Sequence, residues 1–216
     1  MLEPLLRGRE VSRVKAGKSN YAFITPPASL VRALKGIRFT SVQRRGKYLL
    51  LCANGGALLV HLGMTGQLFS QSGYVPDKHV PLTLELVGSA TPVHYRDPRQ
   101  FGKLAWLNEN QVESEPRIAR LGPDALTITG EHLWKATRKK RASIKALLLD
   151  QSIAAGVGNI YADESLFQAG IRPSRKAMSI TKSQAGKLAD CVRAVLERAV
   201  ELGGSSVNDY IKPDGS

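Results

Sequence analysis

Cysteine is nearly missing from this 216-residue sequence: Cys52 and Cys191 are its only two, far apart along the chain. That placement excludes a disulfide framework and any Cys-x-x-Cys metal site, so no metal or other cofactor is expected. Two free thiols suit a reducing, cytoplasmic compartment. Long apolar runs are missing too. None reaches the roughly 18–20 residues of a membrane helix, and Met1-Leu-Glu-Pro-Leu-Leu-Arg7 does not read as a signal peptide. Acidic residues are scarce, with 18 Asp and Glu against 31 Lys and Arg, giving +13 and a pI near 10.0. Such an excess points to a polyanion partner, nucleic acid first and an anionic membrane surface second. The plainer alternative is a basic surface without a partner. There is no internal repeat or low-complexity tract, and a hydrophobic content of 43% excludes wholesale disorder. The length allows one large core or two small ones.

After a short helical start, the first half has the pattern of a β-rich domain. Ile37 to Ala53 and Gly56 to Met64 flank Asn54-Gly55, a strong hairpin signal. Leu82 to Val87 and Val93 to Tyr95 flank another turn, and Lys103 to Leu107 continues the series, as in a β-sandwich or barrel. The second half turns helical. Ala142 to Leu149 and Asn159 to Gln168 predict two shorter helices. Leu188, Val192, Val195 and Ala199 recur at helical spacing after a capping box, Thr181-x-x-Gln184, and before a stop at Gly203-Gly204. The composition shifts between Asn108 and Thr137, which places an interdomain linker there.

Four short motifs could carry chemistry. Ala154-Ala-Gly-Val-Gly-Asn-Ile-Tyr-Ala-Asp163 opens a helix with Gly156 and Gly158 next to Asn159, and Lys139-Lys-Arg-Ala-Ser-Ile-Lys145 precedes it. The first N–H groups of a helix lack internal partners and lie at the positive end of its dipole, so such a turn can hold a phosphate. Arg138-Lys-Lys-Arg141 alone could equally be a localisation or heparin-type patch. Arg44-Arg-Gly-Lys-Tyr48 puts three cations at a strand entrance, either a solvated edge or a phosphate-facing Lys47. His61-Leu-Gly-Met-Thr-Gly66 and Asp97-Pro-Arg-Gln-Phe-Gly102 place Met64, Arg99 and Phe101 in loops, where packing is the ordinary role. Lys78-His79 is a fifth, weaker pair whose histidine could simply be solvated.

Together these motifs resemble the formamidopyrimidine-DNA glycosylase/endonuclease VIII family, and the formamidopyrimidine branch of it more closely. The resemblance implies an α+β protein. Residues 1–115 would form an N-terminal β-sandwich glycosylase domain whose first helix is truncated, and residues 116–216 a helix-two-turn-helix DNA-binding domain. It implies excision of oxidised purines from duplex DNA followed by lyase cleavage at the abasic site, by a monomer associated with the bacterial nucleoid. Lys47 corresponds to the active-site lysine that binds phosphate and is assigned as proton donor for elimination. An enzyme acting on a base must take it out of the stack, and Met64, Arg99 and Phe101 match the residues that fill the hole. His79, Arg99, Lys140, Arg141, Lys145, Gly156, Gly158 and Asn159 match DNA-contacting positions.

Two departures temper this. Family members begin with Pro-Glu-Leu-Pro-Glu-Val-Glu, whose proline amine is the nucleophile. Met1-Leu-Glu-Pro4 resembles the later part of the first helix, so neither Glu3 nor Pro4 is assigned a catalytic role. Gly203 to Tyr210 and Asp214 to Ser216 match the approach to a lesion-covering loop and a four-cysteine zinc finger, and no Cys-x-x-Cys follows. The expectation is a chain impaired in base excision but able to bind DNA. The alternatives are a non-catalytic module for lesions or abasic sites and a basic DNA-binding module without lesion preference.

Overall fold

In the computed structural model, residues 2–17, 20–138 and 140–204 are described. Expectations placed on Met1, Lys139 and Ser205 to Ser216 lie outside them. The chain divides at Glu115/Pro116 into two compact units.

Apolar blocks cut by glycine turns build the first unit. Its elements in chain order are α1 (Glu3–Leu6), β1 (Val11–Ala16), α2 (Pro27–Leu34), β2 (Phe39–Arg45), β3 (Tyr48–Ala53), β4 (Gly56–His61), β5 (Gln67–Phe69), β6 (Leu82–Leu86), β7 (Val93–Arg96) and β8 (Lys103–Asn108). They form two four-stranded antiparallel sheets, ordered β1-β6-β7-β5 and β2-β3-β4-β8. Leu51, Leu58, Val60 and Leu104 from the second sheet meet Leu82, Leu84, Val93 and Tyr95 from the first in one core. This is the β-sandwich that the alternating pattern predicts.

Three details differ from the sequence expectation. The run Ile37 to Ala53 is two strands, because Gly46 adopts φ 58° and turns the chain over Gly46-Lys47 between Arg45 and its partner Tyr48. Glycine first in a two-residue loop is the type II′ hairpin arrangement. The next strand ends at His61 rather than Met64, since Gly66 N–H bonds back to Leu62 C=O at 2.8 Å and closes a turn. Strands β1 and β5 went unseen: β1 is a largely exposed edge strand and β5 has three residues, so neither carries a readable apolar period.

The second unit contains α3 (Pro116–Ala119), α4 (Gly130–Thr137), α5 (Ile144–Leu149), α6 (Asn159–Ala169) and α7 (Lys182–Glu201). Thr181 and Gln184 form the expected reciprocal capping box at the start of α7. Leu188 and Val192 of α7 pack with Leu133 of α4, Leu148 of α5 and Leu166 of α6. The stretch expected as linker therefore includes a helix that contributes to the core, because Thr129 caps α4 through its hydroxyl and Leu133 is buried.

His94 on β7 is 1% exposed, lies 3.0 Å from Thr83 Oγ1 through Nδ1, and packs its ring against Tyr74 and Phe69. Burial, then the charge of Lys15, holds its pKa below the ordinary histidine value. As pH falls, the unfolded chain takes up this proton before the folded one does, so stability is lost from about pH 6.5 downward. The melting temperature should fall between about pH 7 and pH 5, and His94→Gln should flatten that slope. A slope identical in the variant would exclude His94 as its source.

Candidate nucleic-acid interface

The sandwich unit carries five of the expected site residues: Lys47, Met64, His79, Arg99 and Phe101. Lys47 stands on the β2–β3 turn, exposed, yet its amine is desolvated enough that its pKa is lowered. Its neighbour Tyr48 pairs across the sheet with His61, their ring centroids 5.0 Å apart. Burial first, then the charges of Lys47 and Lys103, pushes His61 below the ordinary imidazole value against an opposing pull from Asp97. Its Nδ1 accepts the Gly63 N–H at 3.2 Å, which places the proton of the neutral ring on Nε2. Lys47 and Lys103 thus make this end of the sheet locally cationic around a neutral His61, a setting suited to an anion.

His61 leads directly into the loop carrying Met64, whose side chain is 68% exposed. The adjacent loop, Asp97 to Gly102, carries Arg99 and Phe101, the latter 53% exposed with the Arg99 guanidinium 5.5 Å from its ring centroid. Single exposed apolar side chains are ordinary, and this protein has others; these two stand out because they come from two neighbouring loops. Between the loops sits Asp97, fully buried. Its carboxylate accepts from Thr65 Oγ1 at 2.9 Å and from Gly102 N–H at 2.7 Å. Burial and the Asp97 charge raise the pKa of Tyr95, and the same two causes lead in pushing Tyr21 up to about 12. His79 joins this end through its backbone, its C=O accepting the Asp97 N–H at 2.8 Å and its N–H donating to Asp77. Its own ring Nδ1 is buried without a partner.

The second unit builds the other expected group around the start of α6. Gly158 caps this helix without a side-chain bond, its first turn has no acidic residue, and the first intrahelical bond runs from Ala162 N–H to Gly158 C=O. The N–H groups before it are directed outward from the helix start, with Asn159 exposed among them. Gly156 makes the turn possible with φ 109°. Gln151 holds that turn in shape: its Oε1 accepts the Gly156 N–H at 3.0 Å and its Nε2 donates to Val157 C=O at 3.1 Å. Lys145 reaches from α5 to Asp163, Nζ to Oδ2 2.8 Å. Asp163 lies one helical turn after Asn159 on the same face, so the ammonium is held beside the helix start. Lys140 and Arg141 are exposed just before α5.

Sequence reasoning missed His61, Thr65, Asp97, Gln151 and Asp163. Each acts through a hydrogen bond or register position, and only the position of Asp163 in the Asn159 helix, four residues on, offered a signal. Cys52 and Cys191 fall in separate units, and among the described residues no three His, Cys, Asp or Glu side chains gather as a metal would require. No helix among them is long and apolar enough to cross a membrane.

Residues 1–104 match the model of the formamidopyrimidine-DNA glycosylase N-terminal domain, and residues 121–210 that of the formamidopyrimidine-DNA glycosylase H2TH domain. A formamidopyrimidine-DNA glycosylase of Sodalis glossinidius is 39% identical over 99% of this chain and 79% of its own length. That of Ectopseudomonas mendocina is 40% identical with the same coverage. Among solved structures, the Lactococcus lactis Fpg in complex with an abasic-site DNA superposes with a TM-score of 0.88 at 29% identity, covering 95% of this chain and 76% of that one. The Thermus thermophilus MutM (Fpg) protein gives 0.86 at 37% identity, covering 100% and 78%.

Proposed function

The chain belongs to the formamidopyrimidine-DNA glycosylase family, a family of base-excision-repair glycosylases, and from that premise we propose that it binds duplex DNA at damaged bases, oxidised purines foremost, and at the abasic sites they leave. It acts as a monomer. Lys140, Arg141, Lys145 and the Gly156–Gly158–Asn159 turn hold backbone phosphates. Met64, Arg99 and Phe101 fill the stack where a nucleotide has been extruded, and His79 contacts the strand beside them. Lys47 places an amine at the sugar. Amine chemistry of this kind needs no resident cofactor.

The observation that carries the reading is the juxtaposition of a desolvated lysine with two exposed apolar wedges at one end of the sandwich. A generic DNA-binding surface needs cations but no exposed Met and Phe beside a lysine of lowered pKa. The Pro4 nitrogen is an amide inside α1, so Pro4 offers no amine to the sugar.

Affinity for abasic and intact duplex, measured side by side across a salt series, tests the proposal. With about four side-chain phosphate contacts, affinity should drop about a hundredfold between roughly 50 and 200 mM salt. The abasic duplex should bind more tightly at every salt concentration. Equal binding of the two duplexes would leave only a DNA-binding module without lesion preference. Release of an oxidised purine by the same preparation would separate full excision from recognition alone.

A further inference from the structure

We propose that Asp97 is a positioning residue that fastens the Met64 loop and the Arg99–Phe101 loop into a single probe, so that the wedges enter the base stack together or not at all. This rests on the DNA reading above. A fully buried carboxylate must have its oxygens satisfied, and here the partners are divided between the loops. Oδ1 accepts from Thr65, one residue after Met64, and Oδ2 accepts from the Gly102 N–H, one residue after Phe101. Thr65 Oγ1 in turn accepts the Arg99 N–H at 3.2 Å, so one hydroxyl bridges the carboxylate and the wedge-bearing backbone. The Asp97 main chain extends the fastening. Its N–H donates to His79 C=O at 2.8 Å, and its C=O accepts from Tyr21 Oη at 3.0 Å and Gln100 N–H at 3.3 Å.

Packing leaves the loops little independent movement. A Cβ on Gly63 would lie 2.8 Å from Gly102 N, and one on Gly102 would lie 1.5 Å from Tyr95 Oη. Gln100, between Arg99 and Phe101, is the one non-glycine residue at positive φ among the described residues, at 63°. A side chain in that region persists where its surroundings impose it, and here it sets the exit of Arg99 and Phe101. With the loops fastened, the unstacking cost of entry is met by apolar filling and the arginine contact at the same moment. A loose loop would meet that cost with one contact only.

The test uses a duplex with 2-aminopurine opposite an abasic analogue, whose fluorescence reports wedge entry, and the full chain. Thr65→Val keeps the shape of the side chain but neither donates nor accepts. It should lower the insertion equilibrium at least tenfold while affinity for intact duplex changes less than twofold, and Thr65→Ser should restore insertion. Asp97→Asn, which keeps one acceptor, should give an intermediate loss. In the otherwise native chain, Met64→Ala and Phe101→Ala should each remove most of the signal, their losses overlapping. In the Thr65→Val background the two losses should become independent. Native insertion by Thr65→Val, or failure of Thr65→Ser to restore it, overturns the proposal. Should Thr65→Val fail to fold in a melting control, native insertion by Asp97→Asn overturns it instead. If Met64→Ala and Phe101→Ala both leave the signal untouched, the DNA reading itself has failed, a separate result.

Discussion

Lys47→Ala should reduce borohydride trapping of this chain on an abasic duplex by about a hundredfold or more, and Lys47→Arg should lose the adduct equally while keeping affinity within about threefold. Trapping requires an imine: the neutral amine attacks the aldehyde carbon of the opened abasic sugar, water leaves, and borohydride reduces the resulting iminium. A lysine at its ordinary value of 10.5 is overwhelmingly protonated at neutral pH, and burial of Lys47 lowers that value. Each unit of lowering raises the neutral fraction about tenfold. The trapping rate should therefore rise with pH and level off below 10.5. Arginine keeps the positive charge for a phosphate but has no neutral form in the accessible range. The pair of variants thus separates phosphate binding from amine chemistry. An adduct that survives in both would place the reacting amine elsewhere in the chain.

The parts of this molecule that sequence made legible are those whose signal is local. Asn54-Gly55 marks a hairpin because its backbone demands are met within two residues, and Thr181 with Gln184 marks a helix start through bonds three residues apart. The turn at Gly46-Lys47 is as local, but the apolar block after it blends with the strand before it, so two strands pass for one. Met64, Arg99, Phe101 and Lys47 are singled out only through family resemblance, and their proposed roles rest on it; composition and periodicity alone leave them as packing and a solvated edge. Asp97 was legible only as part of a turn. Its work is done with Thr65, 32 positions away, and no pattern within a window of sequence brings those atoms together. Gln151 escaped because it shapes the Asn159 turn from outside the motif that announces it.

Gly156→Ala should weaken binding to any duplex by tenfold or more. At φ 109° an alanine is strained, at about 1–3 kcal/mol if the backbone holds. If it relaxes instead, the Gly156 N–H leaves Gln151 and the outward N–H groups at the start of α6 lose their alignment. Either course acts on backbone contacts, so the loss should be uniform across sequences. Asn159→Ala removes a side-chain contact to a charged oxygen and should cost about 1.5–3 kcal/mol, roughly ten- to a hundredfold in affinity. Lys145→Ala should cost more than one cation's share and lower the salt slope by about one, because Asp163 then stands unpaired beside the phosphate. The decisive comparison is therefore the double variant: Lys145→Ala with Asp163→Asn should recover part of the affinity that Lys145→Ala loses. Electrophoretic or fluorescence titration at fixed salt reads the four affinities, and repeating it across a salt series reads the slope. Absence of recovery would mean that the Lys145–Asp163 pair lies away from the phosphate, and unchanged affinity in Gly156→Ala would mean that the α6 start is not where the backbone is held.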